Sequence, residues 1–411
     1  MMRIWVMTNE YEGNIVGGLG IIATNLSKAL VKRNGILLTI ICKGVSRQVT
    51  VENDSPIRII RFPLGSKYHS VRSQKFNTAP IVRWLQAHGF ARPDLIHIHS
   101  LQCDELAKYY KYKYRIPVIY TCHSLVVLER KKSGRTKMAA RQKKLIRMAN
   151  AITVPSQWQK NKNRQYYPFY KGQIKVIQNA VSMKNEMNKS ASNPYHLLYV
   201  GRLTAIKGIK ELLNAISLLK KSNHQIKLDI VGEGSKAYTI KLKKIAQKLN
   251  INKNVKWIGK LKPMAVQRLY SSYGAVIVPS RHESFGLVAM EAMANGAPLV
   301  STRKGGLHSF VNMNNASVIR TVTASSIASS IREIWRNPDV TMSRVRMAKE
   351  TANRYGWIKV SNQYLSLFSK YAKGRRINVA CTPLEIEKGM ENEAPRPSMD
   401  RPEYLGEARL L

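Results

Sequence analysis

The sequence predicts an α/β protein with two domains, each built on a parallel β-sheet with helices on both faces. Short apolar segments alternate with segments of helical periodicity along most of the chain, as in parallel sheets with crossover helices. The pattern stops in a polar stretch between Met183 and Pro194 and then starts again. The length of 411 residues also favours two domains, because it exceeds what a single core usually holds.

The predicted elements follow one another in the order that this architecture requires. In the first half, the apolar segments predict strands at residues 3–8, Leu37–Cys42, Ile57–Phe62, Leu95–His99, Pro117–Thr121 and Ala151–Val154, and a helix at Ile21–Val31. In the second half, they predict strands at His196–Val200, Lys227–Val231, Val255–Ile258 and Ala275–Val278, and helices at Gly208–Lys220, Ala237–Leu249, Phe285–Ala294 and Trp357–Tyr371. We therefore expect domains at residues 1–182 and 183–356. Residues 374–411 are polar and contain prolines, which predicts a disordered tail.

The chain is strongly basic, with 68 Lys and Arg residues against 24 Asp and Glu residues and a formal net charge of +44. Residues 108–147 contain thirteen of these cations and a single acidic residue, Glu129, and four tyrosines are interleaved with the cations at positions 109, 110, 112 and 114. Such a stretch suits an anionic membrane surface, and it is equally well explained as a solvated basic face. Nucleic acid is a less favoured partner, because no nucleic-acid-binding module is recognisable in the sequence.

The cysteines and the apolar segments bear on the compartment. The four cysteines are scattered and form no CxxC pair, which favours a reducing cytoplasm. The apolar run at the N-terminus is too short for a signal peptide, and no segment reaches the roughly 18 apolar residues of a membrane span. We expect a cytoplasmic protein that can lie peripherally on the inner face of the cell membrane.

The stretch from Pro279 to Gly296 carries the strongest chemical signal. It follows a predicted strand, Ser284 is the expected N-cap of the next helix, and Asn295-Gly296 is the expected stop. Glu283 lies in the loop and Glu291 two turns into the helix. Because ligands of open α/β sheets bind at the carboxyl ends of strands, and helix N-termini favour anions, we expect a phosphate-bearing ligand whose hydroxyls bind these carboxylates.

Three glycine-containing turns after predicted strands offer further binding groups. Gly201-Arg202-Leu203-x3-Lys207-Gly208 combines two cations with glycines, which suits a pair of phosphates. Val231-Gly232-Glu233-Gly234 is a weaker signal, since such turns are common and Glu233 could instead cap the next helix. Gly17-Gly18-Leu19-Gly20 opens the first helix, where backbone N–H groups can approach a phosphate, although ordinary tight-turn chemistry explains it as well.

Three histidines stand at the ends of two predicted strands of the first domain. His97 and His99 end one strand, and His123 follows the next. No carboxylate or cysteine accompanies them at ligand spacing, so the pattern does not predict a metal site. His97 is expected to be buried and hydrogen-bonded, whereas His99 suits either a buried or a functional role.

The Pro279–Gly296 stretch, with Glu283 and Glu291 separated by seven residues, closely resembles the signature of retaining nucleotide-sugar glycosyltransferases of glycosyltransferase family 4. The turns at Gly201–Gly208 and Val231–Gly234 resemble family elements that occur in the same order. The resemblance covers about residues 2–372 and is tightest from 197 to 306. It implies the GT-B fold, in which two Rossmann-like domains face each other across a cleft, with helix 357–373 packing back on the first domain.

The resemblance also implies roles for individual residues. The residues implied in catalysis are His123 near the transferred sugar, Arg202 and Lys207 at the donor diphosphate, and Glu283 at sugar hydroxyls. Glu291 is implied at the ribose, and the other implied donor-binding residues are Gly18, Gly20, Gly201, Gly232, Glu233, Ser284, Phe285, Gly286 and Leu287. No metal and no further cofactor are implied.

The implied activity is a hexosyltransferase-type reaction with retention, from a nucleoside-diphosphate sugar to a hydroxyl of a glycan, glycolipid or other cell-envelope acceptor, as in polysaccharide biosynthesis. One departure follows Gly306, where Leu307-His308-Ser309 stands in place of the family's Glu. With the high charge, this departure suggests an alternative, a non-catalytic basic binding or coat protein on the same fold. The charged residues of the motifs are all present, which favours the enzyme; they are Arg202, Lys207, Glu283 and Glu291.

Overall fold

The computed structural model of the protein describes residues 1–33, 35–70, 75–129, 135–183, 193–222 and 225–372. All of these residues belong to one compact unit. The predicted tail at 374–411 and residues 184–192 of the predicted polar linker lie outside the described residues. No described helix is long and apolar enough to cross a membrane.

The first sheet has eight strands in the order β3-β4-β2-β1-β5-β6-β7-β8. The strands are β1 (Met2–Met7), β2 (Ile36–Gly44), β3 (Thr50–Asp54), β4 (Ile57–Pro63), β5 (Leu95–Ile98), β6 (Val118–Thr121), β7 (Ala151–Val154) and β8 (Gln173–Val176). All pairs are parallel except β3 with β4. The sequence did not predict β3 because four of its five residues are exposed at the sheet edge, so it has no apolar run.

The second sheet has six parallel strands in the order β11-β10-β9-β12-β13-β14. The strands are β9 (His196–Val200), β10 (Lys227–Val231), β11 (Val255–Gly259), β12 (Ala275–Val278), β13 (Leu299–Thr302) and β14 (Ser317–Ile319). In each sheet the order reverses beside the first strand, between β1 and β5 and between β9 and β12. Loops at the carboxyl ends of those strands form the crevice in which doubly wound sheets bind ligands.

Thirteen helices connect and cover these strands in the described residues. They are α1 (Gly18–Val31), α2 (Thr78–Ala87), α3 (Asp104–Tyr114), α4 (Val126–Glu129), α5 (Arg135–Met148), α6 (Gln157–Tyr166), α7 (Ile209–Lys220), α8 (Lys236–Lys248), α9 (Pro263–Leu269), α10 (Leu287–Ala294), α11 (Ala324–Arg336), α12 (Pro338–Asn353) and α13 (Trp357–Tyr371). Although α13 follows the second sheet in the chain, its apolar face packs against α1 and the first sheet. Its Val360, Tyr364 and Phe368 are buried there.

The start of α10 differs from the prediction, since Ser284 does not cap it. The helix begins at Leu287 after Gly286, whose φ of +107° only glycine adopts readily. A side chain at Gly286 would also overlap Leu307. Ser284 is used differently, because its carbonyl accepts a hydrogen bond from Ser156 Oγ at 2.7 Å. The positive φ of Gly286 and its close packing against Leu307 set the start of the helix and override the local propensity for a serine cap.

Candidate active site

Two glycine turns at the carboxyl ends of β9 and β10 pack directly against each other. Gly201 has φ +150° and Gly232 has φ +133°, and a side chain on Gly232 would overlap the Gly201 carbonyl. The Leu203 N–H donates to the Glu233 carbonyl at 2.8 Å. Gly232 is therefore required by close backbone approach and Gly201 by its positive φ, whatever ligand they meet. The turn predicted to hold phosphates is built as a rigid backbone platform.

The loops after β12 and β13 fix the backbone of Glu283 in the same way. Glu283 forms a parallel bridge with Gly305, and the Gly306 N–H donates to the Glu283 carbonyl at 2.7 Å. Gly305 has φ +71°, and any side chain there would overlap the Glu283 carbonyl. Gly208 touches the Pro279 carbonyl just as closely, so the β9 loop and the β12 loop are in contact. Glu283 is thus held by backbone contacts on both sides.

The side chains of Lys207 and Glu283 meet between these loops. Lys207 ends a short 3-10 turn, and its Nζ lies 2.5 Å from Glu283 Oε1. Ser280 Oγ donates to the same carboxylate oxygen at 2.8 Å. The two charged side chains are only 18% and 16% exposed. The structure therefore joins two sequence-predicted site residues and adds Ser280, which the sequence had not singled out.

Arg202, which is expected beside Lys207 at the donor diphosphate, forms an ion pair with a carboxylate. Its guanidinium lies 3.3 Å from Glu129 Oε1 of α4, which belongs to the first half of the chain, and it is 65% exposed. Burial lowers the pKa of His282, the carboxylates of Glu283 and Glu129 oppose this shift, and the ammonium of Lys207 adds to it. Glu129 was not predicted as a site residue, and its only sequence signal is that it is the sole acid in a basic stretch.

Glu291 is buried on α10 beneath the loops. The phenol of Tyr270 donates to its Oε2 at 2.7 Å. Burial raises the pKa of Glu291 to about 7, and the hydrogen bond from Tyr270 opposes this shift. The sequence predicted a carboxylate that binds a ligand hydroxyl, and the structure adds Tyr270 as the group that orients it. No sequence motif marked Tyr270.

The glycine turn of the first half reaches the second half at Gly18. A side chain on Gly18 would lie 2.6 Å from Leu287 at the start of α10. Glu10 Oε2 accepts the N–H groups of Val16 and Gly17, both at 2.9 Å. Gly20 provides the space for this carboxylate. Of the amides in the predicted Gly17–Gly20 turn, that of Gly17 is therefore occupied by Glu10, a residue that no sequence motif marked.

The three histidines form one hydrogen-bonded chain. His123 Nε2 lies 2.9 Å from His99 Nδ1, His99 Nε2 lies 3.3 Å from His97 Nδ1, and His97 Nε2 lies 2.7 Å from Thr121 Oγ1. Burial lowers the pKa of His97 to about 3, that of His123 to about 4 and that of His99 well below its ordinary value. All three rings are therefore neutral at pH 7. The expectation of a buried His97 is confirmed, and His99 is buried beside it.

Two interpretations from the sequence do not hold, a ligand contact for the Phe285 ring and a helix-capping role for Glu233. Phe285 is 2% exposed and packs on Phe310 and Tyr355, so its ring belongs to the core. The alternative role for Glu233 as a helix cap is wrong, because Ser235 caps α8 and the Glu233 side chain is exposed. A sequence motif by itself does not distinguish residues that pack in the core from residues that contact a ligand.

The segment after Gly306 accounts for the departure in sequence. Leu307 is buried against Gly286, and Ser309, which stands where the family has Glu, donates from Oγ to the Gly306 carbonyl at 2.6 Å. Arg303 contacts His308 Nδ1 at 3.1 Å. The turn is closed by its own hydrogen bonds. The carboxylate of the family's Glu is replaced by the Ser309 hydroxyl, which bonds within the turn.

Two sequence families match this chain over adjoining stretches. The model of the family described as Glycosyltransferase Family 4 matches residues 16–185. The model of the family described as Glycosyl transferases group 1 matches residues 182–354. Together they cover residues 16–354, which include every strand of the two sheets except β1.

Two relatives match over nearly their whole length. An uncharacterised glycosyltransferase of Methanocaldococcus jannaschii is 26% identical over 390 residues, which are 89% of this chain and 98% of that protein. A D-inositol 3-phosphate glycosyltransferase of Corynebacterium efficiens is 24% identical over 392 residues, 86% of this chain and 90% of that protein.

Solved structures establish the fold. Sucrose-phosphate synthase from Thermosynechococcus elongatus superposes with a TM-score of 0.75 at 21% identity, over 90% of this chain and 99% of the other. An Anabaena protein crystallised with UDP and glucose superposes with a TM-score of 0.69 at 17% identity, over 90% of this chain and 100% of the other. The chain thus belongs to the group 1 and family 4 glycosyltransferases and has the GT-B fold.

Proposed function

We propose that this glycosyltransferase moves a sugar from a nucleoside-diphosphate sugar to a hydroxyl of a glycan, glycolipid or other cell-envelope acceptor. The observation that carries the proposal is the pairing of Lys207 with Glu283 at the switch point of the second sheet. An ammonium group beside a carboxylate suits a ligand that carries both phosphates and sugar hydroxyls. The glycines around them allow such a ligand to come close to the backbone of the protein.

The donor diphosphate would lie against Lys207 and Arg202. In the free protein each of these cations is paired with a carboxylate, Glu283 at 2.5 Å and Glu129 at 3.3 Å. An incoming diphosphate would replace both partners. That exchange would leave Glu283 available for sugar hydroxyls while Lys207 remains compensated. Stabilising the charge on the departing diphosphate is the largest catalytic demand of such a reaction, and fixed cations supply it.

The two glutamates of the motif would bind hydroxyls of the donor. Glu283 is oriented by Ser280 and by the backbone of the β13 loop. Glu291 is oriented by Tyr270, and its raised pKa means that a neutral acid and a carboxylate coexist near pH 7. Because a carboxylate is the stronger acceptor for ribose hydroxyls, we expect donor binding to favour the ionised form.

The proposed transfer keeps the anomeric configuration. The acceptor oxygen forms a bond to the anomeric carbon on the face from which the diphosphate departs. The bond from that carbon to the phosphate oxygen breaks, and the proton of the acceptor hydroxyl passes to the leaving diphosphate. His123 would lie near the sugar, where a neutral ring takes part in hydrogen bonding. The proposal includes no resident metal, since Lys207 and Arg202 already offer positive charge.

Structures of the same fold support a nucleotide ligand. The Anabaena protein was crystallised with UDP-glucose, and starch synthase IV from Arabidopsis thaliana with ADP and acarbose. The relatives and structural neighbours carry different names, among them D-inositol 3-phosphate glycosyltransferase, glycogen synthase and sucrose-phosphate synthase. The acceptor is therefore proposed as a class, a hydroxyl on a glycan or lipid-linked glycan.

The basic surface of residues 108–147 favours a peripheral position on an anionic membrane. Its exposed cations in the described residues are Lys108, Lys113, Arg115, Lys137, Lys143, Lys144 and Arg147. The interleaved tyrosines contribute less than the sequence indicated, because Tyr110 is buried and Tyr112 alone of the four is largely exposed, at 63%. Co-sedimentation with anionic and neutral liposomes tests this position. Preferential binding to anionic vesicles is expected, and equal binding to both would contradict it.

A thermal-shift screen with UDP, ADP and GDP sugars tests the proposed activity. We expect one donor class to raise the Tm, and transfer with that donor to yield a product of unchanged anomeric configuration by NMR. Lys207→Ala should abolish the shift, whereas Arg281→Ala, which removes a neighbouring exposed cation, should retain it. Failure of every donor to stabilise the wild type would favour the non-catalytic basic binding protein instead.

A further inference from the structure

A buried chain of polar side chains connects the candidate sugar site with the C-terminal helix. It starts at His123, passes through two further imidazoles, and ends in a group of three hydroxyls contributed by β6, β7 and α13. Its members are His123, His99, His97, Thr121, Thr153 and Tyr364. All except His123 are at most 3% exposed. The number of available protons determines which group donates and which accepts in each of these hydrogen bonds.

The three hydroxyls contact one another in a closed triangle. Thr121 Oγ1 lies 2.7 Å from Thr153 Oγ1, and both lie 3.1 Å from the phenol oxygen of Tyr364. Three contacts require three protons, and three hydroxyls have three. No proton is left for the imidazole of His97, 2.7 Å from Thr121 Oγ1. Thr121 is therefore the acceptor of that bond, and His97 donates from Nε2.

This direction propagates through the other two rings. A neutral imidazole carries one N–H, so His97 with its proton on Nε2 has a lone pair on Nδ1 and accepts from His99 Nε2. His99 Nδ1 is then a lone pair and accepts from His123 Nε2 at 2.9 Å. Reversing a single ring would place two lone pairs or two protons face to face. The neutral state that the count requires is favoured by burial, which lowers the pKa of each ring.

We propose that the Thr121–Thr153–Tyr364 triangle fixes His123 in its Nε2–H tautomer, leaving Nδ1 as a permanent hydrogen-bond acceptor. The ligand that uses this acceptor rests on the proposed function: a hydroxyl of the donor sugar would donate to it. His123 then orients the sugar and does not act as a proton donor. Thr121, Thr153, Tyr364, His97 and His99 are positioning residues, and α13 reaches the site through the Tyr364 phenol.

Nitrogen-15 NMR of histidine-labelled protein tests the tautomer directly, with the His123 resonances assigned from His123→Gln. The wild type should show a protonated Nε2 and a bare Nδ1 at His123. Thr121→Val removes the acceptor of His97, so the Nδ1–H form of His123 should become populated. Thr121→Ser keeps the hydroxyl and should restore the wild-type pattern. Tyr364→Phe opens the triangle and should also release the tautomer, which provides a second variant if Thr121→Val does not fold.

Thr24→Val serves as the matched control, since Thr24 is a buried threonine of α1 whose hydroxyl has no partner in the described residues. It should leave the His123 resonances unchanged. A wild-type His123 in the Nδ1–H form, or a His123 unaffected in both Thr121→Val and Tyr364→Phe, would overturn the proposal.

Kinetics separate this proposal from the proposed function. If both hold, Thr121→Val lowers kcat by about tenfold, the worth of one hydrogen bond to a sugar, while affinity for the nucleoside diphosphate without sugar stays unchanged. If the tautomers behave as expected but the protein uses no nucleotide sugar, the assignment of the His123 tautomer holds and the proposed function fails.

Discussion

The two sides of the candidate site are built on opposite principles. The side formed by the second sheet carries charge, with Lys207 and Glu283 presented on loops that glycines bring into backbone contact. The side formed by the first sheet is neutral, with His123 held by a buried chain of imidazoles and hydroxyls. We infer that the protein separates two tasks, compensation of phosphate charge by loops in backbone contact and orientation of a neutral sugar by a network of side chains.

Removal of the Lys207 ammonium should affect turnover most. Lys207→Ala should lower kcat by roughly two to three orders of magnitude, the cost of losing one fixed group that stabilises developing charge. Arg281→Ala removes an exposed cation of the same loops, paired with Glu211 at 2.7 Å, and should change turnover less than about threefold. Steady-state kinetics with circular dichroism as a folding check measures both. Equal losses would show that general positive charge, and not a placed cation, carries the effect.

The close backbone contact between Gly305 and Glu283 on the charged side can be tested by substitution of Gly305. In Gly305→Ala the new side chain overlaps the Glu283 carbonyl, and the residue is also strained at φ +71°. The overlap should lower the free energy of unfolding by about 1–3 kcal/mol, in addition to the cost of the positive φ. Gly259→Ala is the matched control, because Gly259 has φ +81° but open space around it. It should cost about 1–2 kcal/mol. Urea denaturation compares them, and equal costs would remove the argument from close backbone approach.

The buried carboxyl of Glu291 should give the charged side a specific pH dependence. Its pKa is about 7 in the folded protein against an ordinary value of 4.5. Its contribution to the free energy of unfolding is therefore fully present below about pH 4.5, and it is lost as pH rises through 7. The total loss is roughly 3 kcal/mol.

Denaturation from pH 4 to 8 tests this dependence. Relative to Glu291→Gln, the wild type should lose stability as pH rises. Glu350→Gln, which replaces an exposed carboxylate on α12, should run parallel to the wild type. A Glu291→Gln profile parallel to the wild type would contradict the burial of an ionisable group at this position.

The ion pair that joins the two sides at Arg202 should have the smallest effect. Because Glu129 competes with a diphosphate for the exposed guanidinium, Glu129→Gln should tighten binding of the nucleoside diphosphate by up to about fivefold. Glu211→Gln, which frees Arg281 in the same manner, should leave the affinity unchanged. Calorimetric titration distinguishes the two, and weaker binding by Glu129→Gln would assign Glu129 to the ligand site.

The contrast between the two sides also explains what the sequence could predict. The strands around the switch points were predictable because parallel strands in the interior are continuous apolar runs, as in β5 and β12. The loops of the second sheet were predictable because close backbone approach requires glycine at fixed positions, such as Gly232 and Gly305. A local backbone constraint leaves a local pattern in the sequence.

The remaining features of the site depend on side chains that are distant in sequence. Thr121 and Tyr364 are 243 residues apart and meet only because α13 returns to the first sheet. Glu10 and Tyr270 each orient a site element through one hydrogen-bonding group, which has no characteristic spacing. The predicted Ser284 cap is wrong for the same reason, since α10 starts at Leu287 after Gly286, which packs against Leu307 of a later loop. Such contacts appear only when the fold is known.

Calorimetric titration with a nucleoside diphosphate and with its nucleotide sugar tests the division of tasks most directly. Lys207→Ala should weaken binding of both ligands about tenfold or more, because the diphosphate is common to them. His123→Ala should leave the nucleoside diphosphate unaffected and weaken only the sugar-bearing ligand. Loss of both ligands in both variants, or of neither ligand in Lys207→Ala, would contradict a charged side for the phosphates and a neutral side for the sugar.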